Sequence, residues 1–249
     1  MSTVLQTKLL TKRYGDFVAN TDINLSVAKG TIHGVIGPNG AGKTTFFNCL
    51  AGTVPTTSGQ VLLEGRDITT LAQHKRPLAG LSRSFQVTSL FSDLSVFENL
   101  RLAHQALSPG KGFVFWHAAH ETGSTAEAVD MVLARTSLIG ERDTLVSELS
   151  HGQQRVLEVG VALMSKPRVL LLDEPTSGMG IDDIPQMITL LSDLKKECTI
   201  VLIEHNVGLV TEVCDAVTVL QGGKVISEGT PHEVSNDEKV KIAYLGEDL

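Results

Sequence analysis

An α/β fold built on a parallel sheet is the class this sequence predicts, on three observations. Short apolar runs without alternation, Ile32–Ile36, residues 169–172 and Thr199–Ile203, each stand ahead of a helical stretch. Such runs belong to strands that helices bury on both faces. A glycine-rich turn over residues 37–44 follows the first run directly. Residues 4–28 instead alternate apolar and polar positions, as in Ile23, Leu25 and Val27, the pattern of antiparallel strands with one face in the core.

The 249 residues, 42% hydrophobic and 20% charged, suffice for a full core, so residues 1–249 are expected to form a single domain. Twenty-one Lys plus Arg against 28 Asp plus Glu leave a formal charge of -7. Attraction to nucleic acid would have to be local, and no nucleic-acid partner is expected. Cys49, Cys198 and Cys214 fit neither a zinc spacing nor a Cys-x-x-Cys pair, and read as core residues of a reduced, cytosolic chain. No stretch approaches the roughly 18 uninterrupted apolar residues of a spanning helix, and residues 1–10 carry no signal-peptide core. The expectation is a chain neither secreted nor integral to a membrane, yet able to dock on one.

After the alternating strands, Lys29-Gly30 supplies a turn. Residues 45–51 form a helix that Gly52 ends as its C′ residue, and residues 61–63, closing on Glu64-Gly65-Arg66-Asp67, make another strand. Ser95 and Glu98 form a capping-box pattern ahead of Val96, Phe97, Leu100 and Leu102. A second helix over residues 153–164 is stopped by Pro167. A helix-rich part thus spans roughly 87–165. Residues 216–220 and 224–227, joined by Gln221-Gly222-Gly223, read as a hairpin.

Gly37-Pro38-Asn39-Gly40-Ala41-Gly42-Lys43-Thr44 matches Gly-x-x-x-x-Gly-Lys-Ser/Thr between a strand and a helix, the context in which that pattern binds phosphate. Glycines let backbone N–H groups curl around phosphate oxygens, and the helix that follows, from Thr45 on, points its positive end at them. Lys43 adds a cation for the β- and γ-phosphates, and the Thr44 hydroxyl can ligate Mg²⁺. An accidental match in a chain this long has a probability on the order of 1%. Downstream, the run before Asp173-Glu174 ends in adjacent carboxylates. Because side chains alternate along a strand, Asp173 can turn toward Mg²⁺ and Glu174 toward the water that attacks the γ-phosphate.

With Leu149-Ser150-His151-Gly152-Gln153-Gln154-Arg155 ahead of Asp173-Glu174, the sequence resembles the ATP-binding subunits of ABC transporters. The order Tyr14, phosphate loop, Gln86, Ser150 segment, Asp173-Glu174, His205 covers nearly the whole chain. The resemblance implies a P-loop NTPase, RecA-like core with a parallel sheet, an antiparallel β subdomain and a helical subdomain. It also implies a head-to-tail dimer with a second ATPase subunit, each ATP lying between one phosphate loop and the Ser150, Gly152 and Gln153 segment of the partner. Tyr14 would stack on adenine, Gln86 would join the Mg²⁺ site to a membrane permease, and His205 would hold the γ-phosphate beside Glu174.

Ser82-Arg83-Ser84-Phe85-Gln86, residues 94–100, Ser177-Gly178-Met179-Gly180, Ile203-Glu204-His205-Asn206 and the tail Ala243-Tyr244-Leu245-Gly246-Glu247 look like the branched-chain amino-acid and urea importer branch. That branch implies integral permease subunits, a periplasmic solute-binding protein behind them, and a place on the cytoplasmic face of the inner membrane. The tail also resembles the lipopolysaccharide-export ATPase, which keeps an exporter as the alternative. A soluble non-transport ABC ATPase is disfavoured, because this acidic chain has neither duplicated units nor a coiled-coil insertion. A kinase or GTPase does not explain residues 150–153. Two departures stand out: His151 replaces the usual Gly, and the segment after Glu174 lacks the usual Asp, with Asp182 and Asp183 nearby. Residues 107–119, including Trp116, fit no motif.

Overall fold

The computed structural model describes residues 2–84, 90–107 and 123–245. In chain order the strands are β1 (Thr3–Tyr14), β2 (Phe17–Ala28), β3 (Ile32–Ile36), β4 (Ser58–Leu63), β5 (Arg66–Asp67), β6 (Leu81–Arg83), β7 (Val169–Asp173), β8 (Thr199–Ile203), β9 (Ala216–Gln221) and β10 (Lys224–Gly229). The helices are α1 (Lys43–Ala51), α2 (Arg76–Ala79), α3 (Val96–Ala106), α4 (Gly123–Arg135), α5 (His151–Leu163), α6 (Ile184–Leu194), α7 (Val207–Val213), α8 (Pro231–Asn236) and α9 (Glu238–Leu245).

Two sheets result. One is antiparallel, in the order β2-β1-β4-β5; the other runs β10-β9-β3-β8-β7-β6 and is parallel from β9 to β6. The unalternating runs explain the second. Leu170 and Leu172 of β7, with Ile200 and Leu202 of β8, join a core shared with α3 to α7, while Val169, Leu171, Val201 and Ile203 join a core shared with α1 and the antiparallel sheet. Every second residue therefore enters a different core, each fully buried side chain contributing roughly 1.5–3 kcal/mol. All three cysteines are buried and unpaired by disulfides.

Some local expectations needed revision. β6 had no counterpart in the pattern reading, because three residues are too short to show a period. The arm β9 is more than half of a hairpin: it pairs antiparallel with β10 and parallel with β3. Ser95 accepts from the Glu98 N–H at 3.2 Å, but the Glu98 carboxylate turns to Arg101 at 2.6 Å instead of closing a box. The reciprocal box occurs at α5, which begins at His151, two residues earlier than expected. Gly52 ends α1 with a φ of 75°, as its position predicts. No described helix is long and apolar enough to cross a membrane.

Candidate active site

Register sets the site. Val35 and Asp173 both pair with Ile203, so β3, β7 and β8 end level, and the segments leaving their C-terminal ends open on one side of the sheet, where ligands of α/β folds gather. Phosphate-loop residues 39–45, Glu174 and His205 line one cavity of about 300 Å³.

The loop is held from behind. Asn20 Nδ2 donates to the Gly42 carbonyl at 3.1 Å, and the Gly223 N–H donates to the Ala41 carbonyl at 3.0 Å. Gly42 caps α1 with a φ of 96°, and a Cβ there would stand 2.6 Å from the Ala19 carbonyl oxygen, so only glycine fits. Among the described residues no side chain caps α1, and its first turn holds no acidic residue, so its positive helix end suits an anion. The buried Lys43 ammonium donates to the carbonyls of Gly37, at 2.6 Å, and Pro38, at 2.9 Å.

Asp173, at the end of β7, is buried, and its Oδ2 pairs with Arg83 of β6 at 2.6 Å; the same guanidinium reaches Asn48 of α1 at 2.6 Å. Burial pushes the Asp173 carboxyl up and the Arg83 contact opposes it. Among the described residues Asp173 Oδ1, which is buried, has no hydrogen-bond partner. A carboxylate oxygen left bare fits Mg²⁺ or its water, since that ion commonly takes one or two carboxylates and fills its shell with water and phosphate.

Glu174 departs from the expected geometry. The strand ends at Asp173 and Glu174 has a φ of 50°, so the two carboxylates separate through a left-handed backbone turn, not through strand alternation. Glu174 Oε1 lies 2.8 Å from His205 Nε2. Beneath them the buried Glu204 accepts from both Thr176 and the His205 and Asn206 N–H groups.

The Ser150 segment lies elsewhere, and none of it lines the cavity. Ser150 Oγ accepts from the Gln153 N–H at 3.2 Å while Gln153 Oε1 accepts from the Ser150 N–H at 2.9 Å. A Cβ on Gly152 would meet Asp183 Oδ2 at 2.6 Å, so the carboxylate of Asp183 packs on the first turn of α5. Further along, Arg155 Nε donates to the Ser177 carbonyl at 3.1 Å, tying this helix to the segment that follows Glu174 in the same chain. Tyr14 is half-exposed at the end of β1 with the Lys12 ammonium 4.7 Å above its ring, and the aromatic that lines the cavity is Phe17, its partner across the turn. Gln86 lies outside the described residues, as do residues 108–119 and 246–247.

Pattern reading passed over Phe17, Arg83, Thr176 and Glu204 as site-forming residues. Glu204 carried a signal, a charge closing an apolar strand, the same feature that marked Asp173; Arg83 carried none, because β6 is short and not apolar.

The ABC transporter family model matches residues 20–177. The chain belongs to the ABC transporter ATP-binding family. A second model, for branched-chain amino acid ATP-binding cassette transporters, matches residues 224–249. The chain is 35% identical to the high-affinity branched-chain amino acid transport ATP-binding protein BraF of Pseudomonas aeruginosa, over 98% of each chain. It is 34% identical to the lipopolysaccharide export system ATP-binding protein LptB of Haemophilus influenzae, again over 98% of each. Among solved structures, the ADP conformation of MJ1267, an ATP-binding cassette of an ABC transporter, superposes with a TM-score of 0.88 at 30% identity, covering 99% of this chain and all of that one. As a member of the family this chain is an ATP-hydrolysing subunit of a transporter, with the P-loop NTPase fold described above.

Proposed function

We propose that this subunit couples ATP binding and hydrolysis to the import of branched-chain amino acids or a related small solute. It would work from the cytoplasmic face of the inner membrane, beneath integral permease subunits fed by a periplasmic solute-binding protein. Residues 1–249 would act as one ATP-binding domain whose helical subdomain, roughly 87–165, meets the permease. The observation that carries the catalytic part is the Glu174–His205 pair, 2.8 Å apart, across one cavity from the phosphate loop.

In this reading the N–H groups of residues 40–45 and the Lys43 ammonium hold the β- and γ-phosphates. Lys43 exchanges the carbonyls of Gly37 and Pro38 for phosphate oxygens. Asp173 and Thr44 would hold Mg²⁺, with Gln86 as the third group that the family resemblance implies; bound there, the ion offsets negative charge on the phosphates. Glu174 accepts a hydrogen bond from the attacking water and orients it, while His205 fixes Glu174 on one side and donates to the γ-phosphate on the other. Tyr14 carries the adenine. Ser150, Gly152 and Gln153 complete the site on a second copy or a related ATPase.

Glu174→Gln tests the assignment: binding of Mg-ATP is expected to persist while hydrolysis falls by several orders of magnitude, and wild-type turnover would remove Glu174 from the role. The solute rests on the likeness to BraF and on the match over residues 224–249. Cells lacking this chain should lose uptake of labelled leucine. The LptB likeness supports a second reading, in which the same deletion spares uptake and impairs lipopolysaccharide export.

A further inference from the structure

We infer that Glu204 is a positioning residue for hydrolysis, one carboxylate that clamps together the loop presenting Glu174 and the loop presenting His205. The inference rests on the roles proposed above for those two residues.

Glu204 follows the fully buried strand β8 and is itself 4% exposed. A carboxylate so placed is costly unless donors surround it, and its donors divide by oxygen. Oε1 accepts from the Thr176 N–H at 3.0 Å and from the Thr176 hydroxyl at 2.6 Å. Oε2 accepts from the N–H of His205 at 3.0 Å and of Asn206 at 3.3 Å. One oxygen therefore grips the chain two residues past Glu174 and the other grips His205 itself.

The need for such a clamp is visible in the backbone. Glu174 sits at a φ of 50°, a conformation that non-glycine residues keep only where their surroundings over-determine it. The Glu174 N–H donates to the Ile203 carbonyl at 2.9 Å and the Ser177 N–H donates to the Glu174 carbonyl at 3.0 Å; the Glu204 bonds to Thr176 lie between those two ties. Without them the left-handed turn can relax, and Glu174 swings relative to both His205 and the phosphate loop. In the reading above, the phosphates that ADP shares with ATP are held by residues 40–45, across the cavity from Glu174 and His205, so ADP binding should survive.

Glu204→Gln keeps the size but replaces one acceptor by an N–H₂ group, which faces N–H donors whichever way it turns. Thr176→Val removes only the hydroxyl donor, and Thr176→Ser retains it. In the full chain assembled with its membrane partners, kcat should fall about ten- to hundredfold in Glu204→Gln, the scale expected for misplacement by about 1 Å. It should fall less in Thr176→Val and stay near wild type in Thr176→Ser, with ADP affinity unchanged throughout. Unchanged kcat in Glu204→Gln and Thr176→Val, or a parallel loss of ADP affinity and kcat, overturns the clamp. Should Glu204→Gln fail to fold, the valine and serine variants decide between them. Glu174→Gln is run alongside: if it turns over normally the roles assumed for the site fail, whereas if it is inactive and the Glu204 and Thr176 variants are not, only the clamp fails.

Discussion

Two helix N-termini in this molecule obey the same physics and are finished in opposite ways. The start of α1 has a glycine cap, no acidic residue in its first turn and a buried lysine beside it. The start of α5 is closed by the reciprocal Ser150–Gln153 box, and the carboxylate of Asp183 packs against Gly152. Both ends have unpaired N–H groups and a positive dipole end to satisfy. At α1 no described side chain caps the helix, which suits an anion; at α5 the chain supplies an oxygen acceptor and a neighbouring negative charge of its own. The difference teaches that the chain leaves the first end open to an anion, whereas at the second the Ser150 oxygen already accepts from the Gln153 N–H and only its O–H proton is left to offer a ligand.

The largest expected effect separates the two ends by affinity. Lys43→Ala should lose ATP binding and turnover together, by several orders of magnitude in kcat/KM. Ser150→Arg should lose turnover as completely while ADP affinity stays within about threefold of wild type, because α5 does not line the cavity. Equal losses of affinity would make the ends equivalent and refute the contrast.

Mixing those two inactive chains comes next. In a head-to-tail pair one site collects both defects and the other none, so phosphate release should return to at most about half the wild-type rate. A verified mixed dimer that stays silent would count against a site shared between chains.

Stability offers a smaller contrast. Gly42→Ala forces a Cβ to within 2.6 Å of the Ala19 carbonyl at a φ of 96° and should cost more than about 2 kcal/mol. Gln153→Ala opens half of the α5 box and should cost about 1 kcal/mol. Denaturant midpoints on the full chain measure both, and a costlier Gln153→Ala would reverse the ranking of the two caps.

The smallest effect lies on the aromatic side of the α1 cavity. Tyr14→Ala should weaken ATP by about 1 kcal/mol, roughly fivefold, with Tyr14→Phe near wild type. A larger loss in Phe17→Ala than in Tyr14→Ala would transfer the base platform to Phe17, which lines the cavity.

Much of the fold was legible because its signals are local. The three unalternating runs became β3, β7 and β8 within one residue of the expected bounds. The antiparallel segment over residues 4–28 split into β1 and β2, which pair with each other, and the phosphate loop stood where its pattern put it. Other features escaped, among them β5, α2, α4, α8 and α9; β6 is too short to show a period, and the second pairing of β9, with β3, depends on strands far away in sequence. The capping box assigned to Ser95 and Glu98 failed because Arg101, one turn on, offered Glu98 an opposite charge.

The sequence by itself determined where the glycine-rich loop stands between strand and helix and that two carboxylates close a later strand, since glycine spacing, strand period and a helix start are set by neighbouring residues. Only the tertiary structure decided how those groups are aimed. Arg83 meets Asp173 across 90 positions and Glu204 holds Thr176 across 28, contacts that exist because parallel strands end level. Glu174 turns into a left-handed conformation in the setting of β8 and Glu204. No local pattern encodes such a turn, because its energetic cost is met by groups that folding brings from elsewhere in the chain.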